Sequence, residues 1–325
     1  MQRSFLLRFT LLTCFLSFGC ERPNPVAGDP SRIRFEVTGG VGSDWSEPVN
    51  LGPPINTSSS DQAPVLSPDG LSLYFGSDRP GSFGNTDLWV SHRVSEDSPW
   101  QTPVNLGAPI NTAAVESGPN LSRDGLMLFF QSSRPGGQGS NDIYVSRRTN
   151  PHDDLGWGAP MNLGPDVNSS IGEFGPWFQE HDDDGPMLYF ARGPVNTFTD
   201  IYAAPMTHTG QPRGPAHLVT ELSDPNFTDG RPTVAANGKE IIFFSARLGS
   251  LGSADLWRST RPTVHDAWSQ PVNLGAPPNT SDNDLLPFLT RNGHTLLFTS
   301  DRIGYGGFDI WMSTRLARDE EDDRE

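Results

Sequence analysis

Apolar residues along this chain gather in short runs separated by polar stretches rich in Gly, Pro and Asp, and the runs return in register. The segment 64–75, Pro-Val-Leu-Ser-Pro-Asp-Gly-Leu-Ser-Leu-Tyr-Phe, comes back at 119–130 with Asp124-Gly125 in the same place. It returns again over 176–190, 232–244 and 287–298. The opening prolines, Pro64, Pro119, Pro176, Pro232 and Pro287, lie 55, 57, 56 and 55 residues apart. So regular a period means one supersecondary unit copied five times.

Each copy reads as four strands. A short apolar strand over 63–67 leads into a tight turn with Asp-Gly or Asn-Gly (Asp69-Gly70, Asn237-Gly238, Asn292-Gly293), residues that tolerate positive φ. A second, aromatic strand follows, as at 71–75 and 240–244, and then a Gly-rich loop. The third strand opens with Asp in every copy: Asp87, Asp142, Asp200, Asp255 and Asp309. The fourth carries Pro-Val-Asn-Leu-Gly at 48–52, 103–107 and 271–275, with a close variant at 160–164 and a degenerate one at His217-Leu218. The last copy stops after its third strand, while the repeats begin with an orphan fourth strand over 45–52. Pairing the two would close a ring and remove an open edge. The sequence therefore predicts an all-β, five-bladed β-propeller of four-stranded antiparallel blades, closed by N- and C-terminal strands in one blade. A sixth blade over 31–60 would have no repeat signature.

Composition and charge narrow the picture. Gly (34) and Pro (30) are plentiful and aromatics make up 10% of the chain, as expected of short strands joined by many turns. A formal charge of −16 disfavours nucleic acid as a partner and tolerates cations and basic proteins. The first 20 residues have a basic start (Arg3, Arg8), an apolar run over 9–18, and then Gly19-Cys20, the build of an export signal too short to span a bilayer. Residues 16–20 resemble a bacterial lipoprotein cleavage box, which implies lipidation at Cys20; plain signal cleavage is the alternative. Cys14 would leave with the signal, so disulfides and a Cys-ligated metal are excluded from the mature chain. The expected layout is a signal over 1–20, a flexible tether over 21–43, the propeller over 44–315 and a disordered acidic tail over 316–325.

Two sets of charges recur. An acid stands three residues before each first-strand proline: Asp61, Glu116, Glu173, Asp229 and Asp284. With the first strand innermost, these five should converge at one mouth of the channel. There they would bind a cation or ligand, with calcium the metal suited to oxygen ligands, or else accept bonds from their own loops or an arginine. An arginine stands before each third-strand Asp: Arg79, Arg134, Arg192 and Arg247 by eight residues and Arg302 by seven. The short loop between them suggests five structural clasps, Arg79 with Asp87, Arg134 with Asp142, Arg192 with Asp200, Arg247 with Asp255, and Arg302 with Asp309. Five near-identical acids do not supply the unlike pair that acid–base chemistry needs. The seven histidines share no repeat position, and no His-Glu-x-x-His, Gly-x-Ser-x-Gly or Gly-Lys-Ser/Thr occurs. The recurrent Trp89, Tyr144, Tyr202, Trp257 and Trp311 fit inter-sheet packing, or sugar stacking if exposed. In the third copy, residues 180–185 read as a solvated hairpin insertion.

The Ser-Pro-Asp-Gly turn and Asp-Ile-Tyr strand resemble the WD-repeat-like, TolB-like propeller family. The string from Trp100 to Tyr144 is similar to propeller domains of envelope proteins that also carry an OmpA-like peptidoglycan-binding part. That part does not follow Arg315 here, so peptidoglycan binding by that route is not implied. The resemblance implies an exported lipoprotein, outer-membrane-anchored and monomeric, with no resident cofactor. The first expectation for function is a non-catalytic scaffold binding an envelope protein or peptide. The alternative is a carbohydrate-active module, lectin or glycoside hydrolase, using acids at the channel mouth.

Overall fold

Alternating burial and a turn every few residues leave the chain no option but small sheets that hide both faces against one another. The computed structural model describes residues 44–180, 185–194 and 197–315. In them, twenty strands form five antiparallel four-stranded sheets, and no sixth sheet occurs among the described residues. Blade one is β2 (Asp61–Leu66), β3 (Ser72–Ser77), β4 (Asp87–His92) and β5 (Val104–Asn105), in that order from axis to rim. Blade two repeats this with β6 (Glu116–Leu121), β7 (Met127–Ser132), β8 (Asp142–Arg147) and β9 (Met161–Asn162). Blade three has β10 (Gly172–Gln179), β11 (Met187–Gly193), β12 (Asp200–Pro205) and β13 (His217–Leu218). Blade four has β14 (Asp229–Val234), β15 (Glu240–Ser245), β16 (Asp255–Thr260) and β17 (Val272–Asn273).

Blade five joins both ends of the fold. Its order is β18 (Asp284–Leu289), β19 (Thr295–Ser300), β20 (Asp309–Thr314) and then β1 (Val49–Asn50). Val49 pairs with Met312 and Asn50 with Trp311, and a further bridge joins Trp45 to Arg315. A two-residue strand is a weak latch alone. Trp45 strengthens it by burying its ring among Leu289, Leu296 and Phe298, with the Arg315 guanidinium 4.6 Å from the ring centre. The signal, tether, tail and Cys20, together with most of the 180–185 hairpin, lie outside the described residues.

Each inner strand bends at the residue before its proline. The register shifts between Gln62 and Val65 in blade one and at the matching place in the other four. The bent residue has positive φ in all five: Ala63, Gly118, Gly175, Arg231 and Leu286. A bulge here turns the strand while keeping the acid at its head aimed into the loops. The three non-glycine members accept an uncommon conformation to keep this bend. Arg231 uses it to reach across the axis. Its Nη2 donates to the carbonyls of Ala63, Pro64 and Pro119, on the far blades one and two, at 3.2, 3.1 and 3.4 Å. Burial without a carboxylate lowers its pKa to about 9.

Trp45→Ala is expected to lower the thermal midpoint by roughly 10 °C, from about 3–5 kcal/mol of lost burial. Ile303→Ala, which trims a side chain that is 99% exposed, should leave the midpoint unchanged. Calorimetric melting of the two variants beside the parent checks both.

Candidate functional site

The loops entering the first strands and those joining second to third strands share one face. There the structure pairs the recurrent charges differently from the sequence expectation. Asp61 heads β2 and is wholly enclosed. Its Oδ2 accepts from the Thr57 amide at 2.7 Å and the Thr57 hydroxyl at 2.8 Å, and its Oδ1 from Ser77 and from Arg79 Nη2, each at 2.6 Å. Arg79 also donates to the Ile55 carbonyl and lies 4.8 and 5.4 Å from the ring centres of Phe75 and Trp89. The same seat holds Glu116 with Arg134, Asp229 with Arg247, and Asp284 with Arg302. In blade three, Arg192 reaches Glu173 through Nε at 2.9 Å.

The expected clasps between Arg79 and Asp87, Arg134 and Asp142, Arg192 and Asp200, Arg247 and Asp255, and Arg302 and Asp309 are therefore corrected. The arginines are seated on the first-strand acids. The third-strand aspartates hold their loops by other means. Asp87 accepts from the amides of Phe83 (2.7 Å) and Gly84 (3.1 Å) and from Asn105 Nδ2 (2.7 Å). Asn105 in turn accepts from Asn111 Nδ2, and Asn111 clamps both backbone polar groups of Leu88. This Asp–Asn–Asn chain recurs as Asp142–Asn162–Asn168, Asp255–Asn273–Asn279 and Asp309–Asn50–Asn56. A loop amide two or three bonds away is a nearer donor than a guanidinium. That leaves the arginine for the one carboxylate that burial would otherwise strand.

All five inner acids have 0% exposure, which leaves a ligand no free oxygen to reach at the channel mouth. Burial pushes the carboxyls of Glu173, Asp229 and Asp284 above the usual range, while hydroxyl, amide and guanidinium donors pull them back. No group of three or more His, Cys, Asp or Glu among the described residues is placed to hold a metal, so the geometry gives calcium no ligand set there. The ring aromatics Trp89, Tyr144 and Trp257 are buried beneath the arginines, as packing requires.

Blade three breaks the pattern. Leu218 stands where the other blades place the first asparagine, and Ser223 stands where they place the second. Arg192 pairs directly with Glu173 in the ladder, at the register of Ser77 opposite Asp61, so its loop to the third strand is two residues shorter. The loop glycine also goes. In blade one a Cβ on Gly84 would lie 1.7 Å from the Ala114 carbonyl oxygen, and Thr197 takes that position before Asp200. Asp200 is left half-buried, without the asparagine donor. Its carboxyl is pushed up first by burial and then by the neighbouring charge of Asp224. Phe198, 55% exposed, stands two residues away. The sequence signal for this was present in the degenerate His217-Leu218, but the role of the missing Asn shows only in three dimensions.

Replacing Asp61 with Asn should strand the Arg79 charge and cost about 3–5 kcal/mol. Asp78→Asn, at an exposed loop cap, should cost less than about 1 kcal/mol. Denaturant midpoints at constant slope separate the two.

No family model matches the chain, and no curated relative does. Solved structures match by fold. A thermostable family-43 glycoside hydrolase aligns with TM-score 0.57 at 12% identity, over 82% of this chain and 93% of that one. The α-L-arabinofuranosidase of Lactobacillus brevis aligns with TM-score 0.56 at 14% identity, over 83% and 94%. TolB of Acinetobacter baumannii aligns with TM-score 0.49 at 15% identity, over 80% and 56%. At such identities the likeness establishes the five-bladed propeller. It also corrects the first expectation for function: the matches that rise above a TM-score of one half here are carbohydrate enzymes, not binding scaffolds, so the carbohydrate-active alternative takes precedence.

Proposed function

We propose that this chain is a carbohydrate-active propeller that hydrolyses a glycosidic bond on its loop face, at the joint between blades three and four. The observation that carries the reading is the unclasped Asp200 beside Asp224. Hydrolysis of a glycoside asks for two carboxyl groups in unlike surroundings, one holding its proton and one ionised. The five inner acids share one enclosed seat and do not meet that need, whereas Asp200 and Asp224 do. Asp200, with its pKa raised, would donate a proton to the leaving oxygen. Asp224 would take one from the attacking water. Exposed Phe198 offers a face for a sugar ring. Arabinofuranosyl glycans are the first substrates to try, because the fold neighbours bear that activity in their names. The basic and apolar leader ending in Gly19-Cys20 supports export and lipid tethering of this module at the outer membrane.

The test is release of reducing sugar from a panel of arabinans, arabinoxylans and other plant and bacterial glycans. Asp200→Asn is expected to cut turnover by about 10²-fold or more, with little change in the melting temperature. The acid form of Asp200 is the working one, so the rate should fall as pH rises through its raised pKa. Asp224→Asn removes a like charge and should move that limb to lower pH. Turnover unchanged in Asp200→Asn would end this assignment, and a panel with neither turnover nor glycan retention would end the carbohydrate reading.

A further inference from the structure

On the opposite face, a second repeated device links neighbouring blades. The residue after the third strand is arginine in four blades, and each stacks on a tryptophan: Arg93 on Trp100, Arg148 on Trp157, Arg261 on Trp268 and Arg315 on Trp45, at 4.2–4.6 Å. Two of these arginines cross to the preceding blade and take a carboxylate there. Arg148 Nη1 meets Asp154 Oδ1 at 3.1 Å, and the same carboxylate accepts from Tyr74 Oη at 2.6 Å and Ser72 Oγ at 2.5 Å. Arg315 grips Glu240 with both terminal nitrogens, at 2.9 and 2.5 Å.

At the joint of blades three and four the cation is present and the carboxylate is not. Arg261 donates Nε to the Gly238 carbonyl at 2.7 Å, as Arg148 does to Gly125 and Arg315 to Gly293. Tyr189 occupies the register of Tyr74, is 4% exposed, and bonds to Arg261. The two sources of a carboxylate are both missing. Asp154 sits in the loop 149–156, which is two residues longer than its counterpart 262–267. Glu240 sits at the head of β15, where β11 has Met187. No carboxylate pairs with Arg261 among the described residues. In place of one there is a cleft of about 240 Å³, lined by Met187, Tyr189, Val219, Arg261, Val264 and Trp268.

We propose that this cleft binds a small monocarboxylate, whose acid group takes the place that Asp154 and Glu240 fill at the other joints and whose ring or alkyl body lies against Trp268, Val219 and Val264. The chain itself supplies the precedent for each contact: a phenol and a guanidinium converging on one carboxylate, above a tryptophan. Charge-assisted bonds to Arg and Tyr supply specificity for an acid, and the apolar walls admit a body without hydroxyls. Its volume, below that of drug-sized pockets, limits the ligand to about one ring. This site stands apart from the acid pair on the loop face and does not depend on the glycan reading.

The test is isothermal titration of the full chain with benzoate and with benzamide, its neutral counterpart. Benzoate should bind saturably, and benzamide about tenfold or more weakly, the worth of one hydrogen bond to a charge. Tyr189→Phe keeps the packing and should weaken benzoate about tenfold while leaving the melting temperature close to that of the parent. Met187→Glu, copying the position of Glu240, should abolish benzoate binding and raise the melting temperature by satisfying Arg261 internally. Three results would each overturn the proposal: no saturable benzoate binding, equal affinity for benzoate and benzamide, or parental benzoate affinity in Met187→Glu.

Discussion

A carboxylate taken wholly out of water must be met by donors on every side, and five such groups sit at the heads of the inner strands. Asp61 is answered by an amide, two hydroxyls and the guanidinium of Arg79, contributed by the entry loop and the second strand. Those donors come from segments that nothing else would hold in place, so the ion pair organises the whole loop face of its blade. The guanidinium in turn covers aromatic rings from the second and third strands. Each blade is thereby pinned at the axis, and the side-to-side packing of Phe75, Phe130, Phe243 and Phe298 follows from that pinning.

The ring was legible because it depends on repetition, and repetition survives in one dimension. The period, the Asp-Gly turns and the orphan strand at 45–52 were enough to give five sheets and their closure through β1 and β20. The charges were legible as positions and misread as pairs. Arg79 lies eight residues from Asp87 and eighteen from Asp61, and nearness in sequence favours the wrong partner. The backbone amides of Phe83 and Gly84 decide the matter, and amides carry no sequence signal. Arg231 was invisible for a different reason: it occurs once, so no repeat draws attention to it, and its partners are carbonyls on blades one and two. The Arg–Trp stacks do repeat, but with loops of unequal length, and the irregular spacing hid them.

Identical copies give a propeller stability, and a site needs an exception. Blade three gathers its exceptions on connected positions. Leu218 and Ser223 remove both asparagines that would restrain Asp200, and the earlier register of Arg192 shortens the loop that would cover it. Any one of these changes alone would leave the other restraints of that chain in place. Together they release one carboxylate at the surface, next to another that raises its affinity for a proton.

The same joint is exceptional on its other face, and the two departures share a cause. Blade three has Met206 after its third strand in place of the arginine, and its fourth strand is the degenerate His217-Leu218. Leu218 faces the loop network, while His217 and Val219 border the cleft, so one altered strand loosens both ends of the joint. A joint so relieved has to draw its cohesion from what remains: the buried Glu173–Arg192 pair, Trp177 bridging toward blade four, and the Arg261–Trp268 stack from the neighbouring side. Of these, only the stack leaves a cation without an anionic partner, on a protein whose net charge is strongly negative. An anion entering the cleft therefore meets local attraction inside a repulsive field, which favours a ligand of single charge over a polyanion.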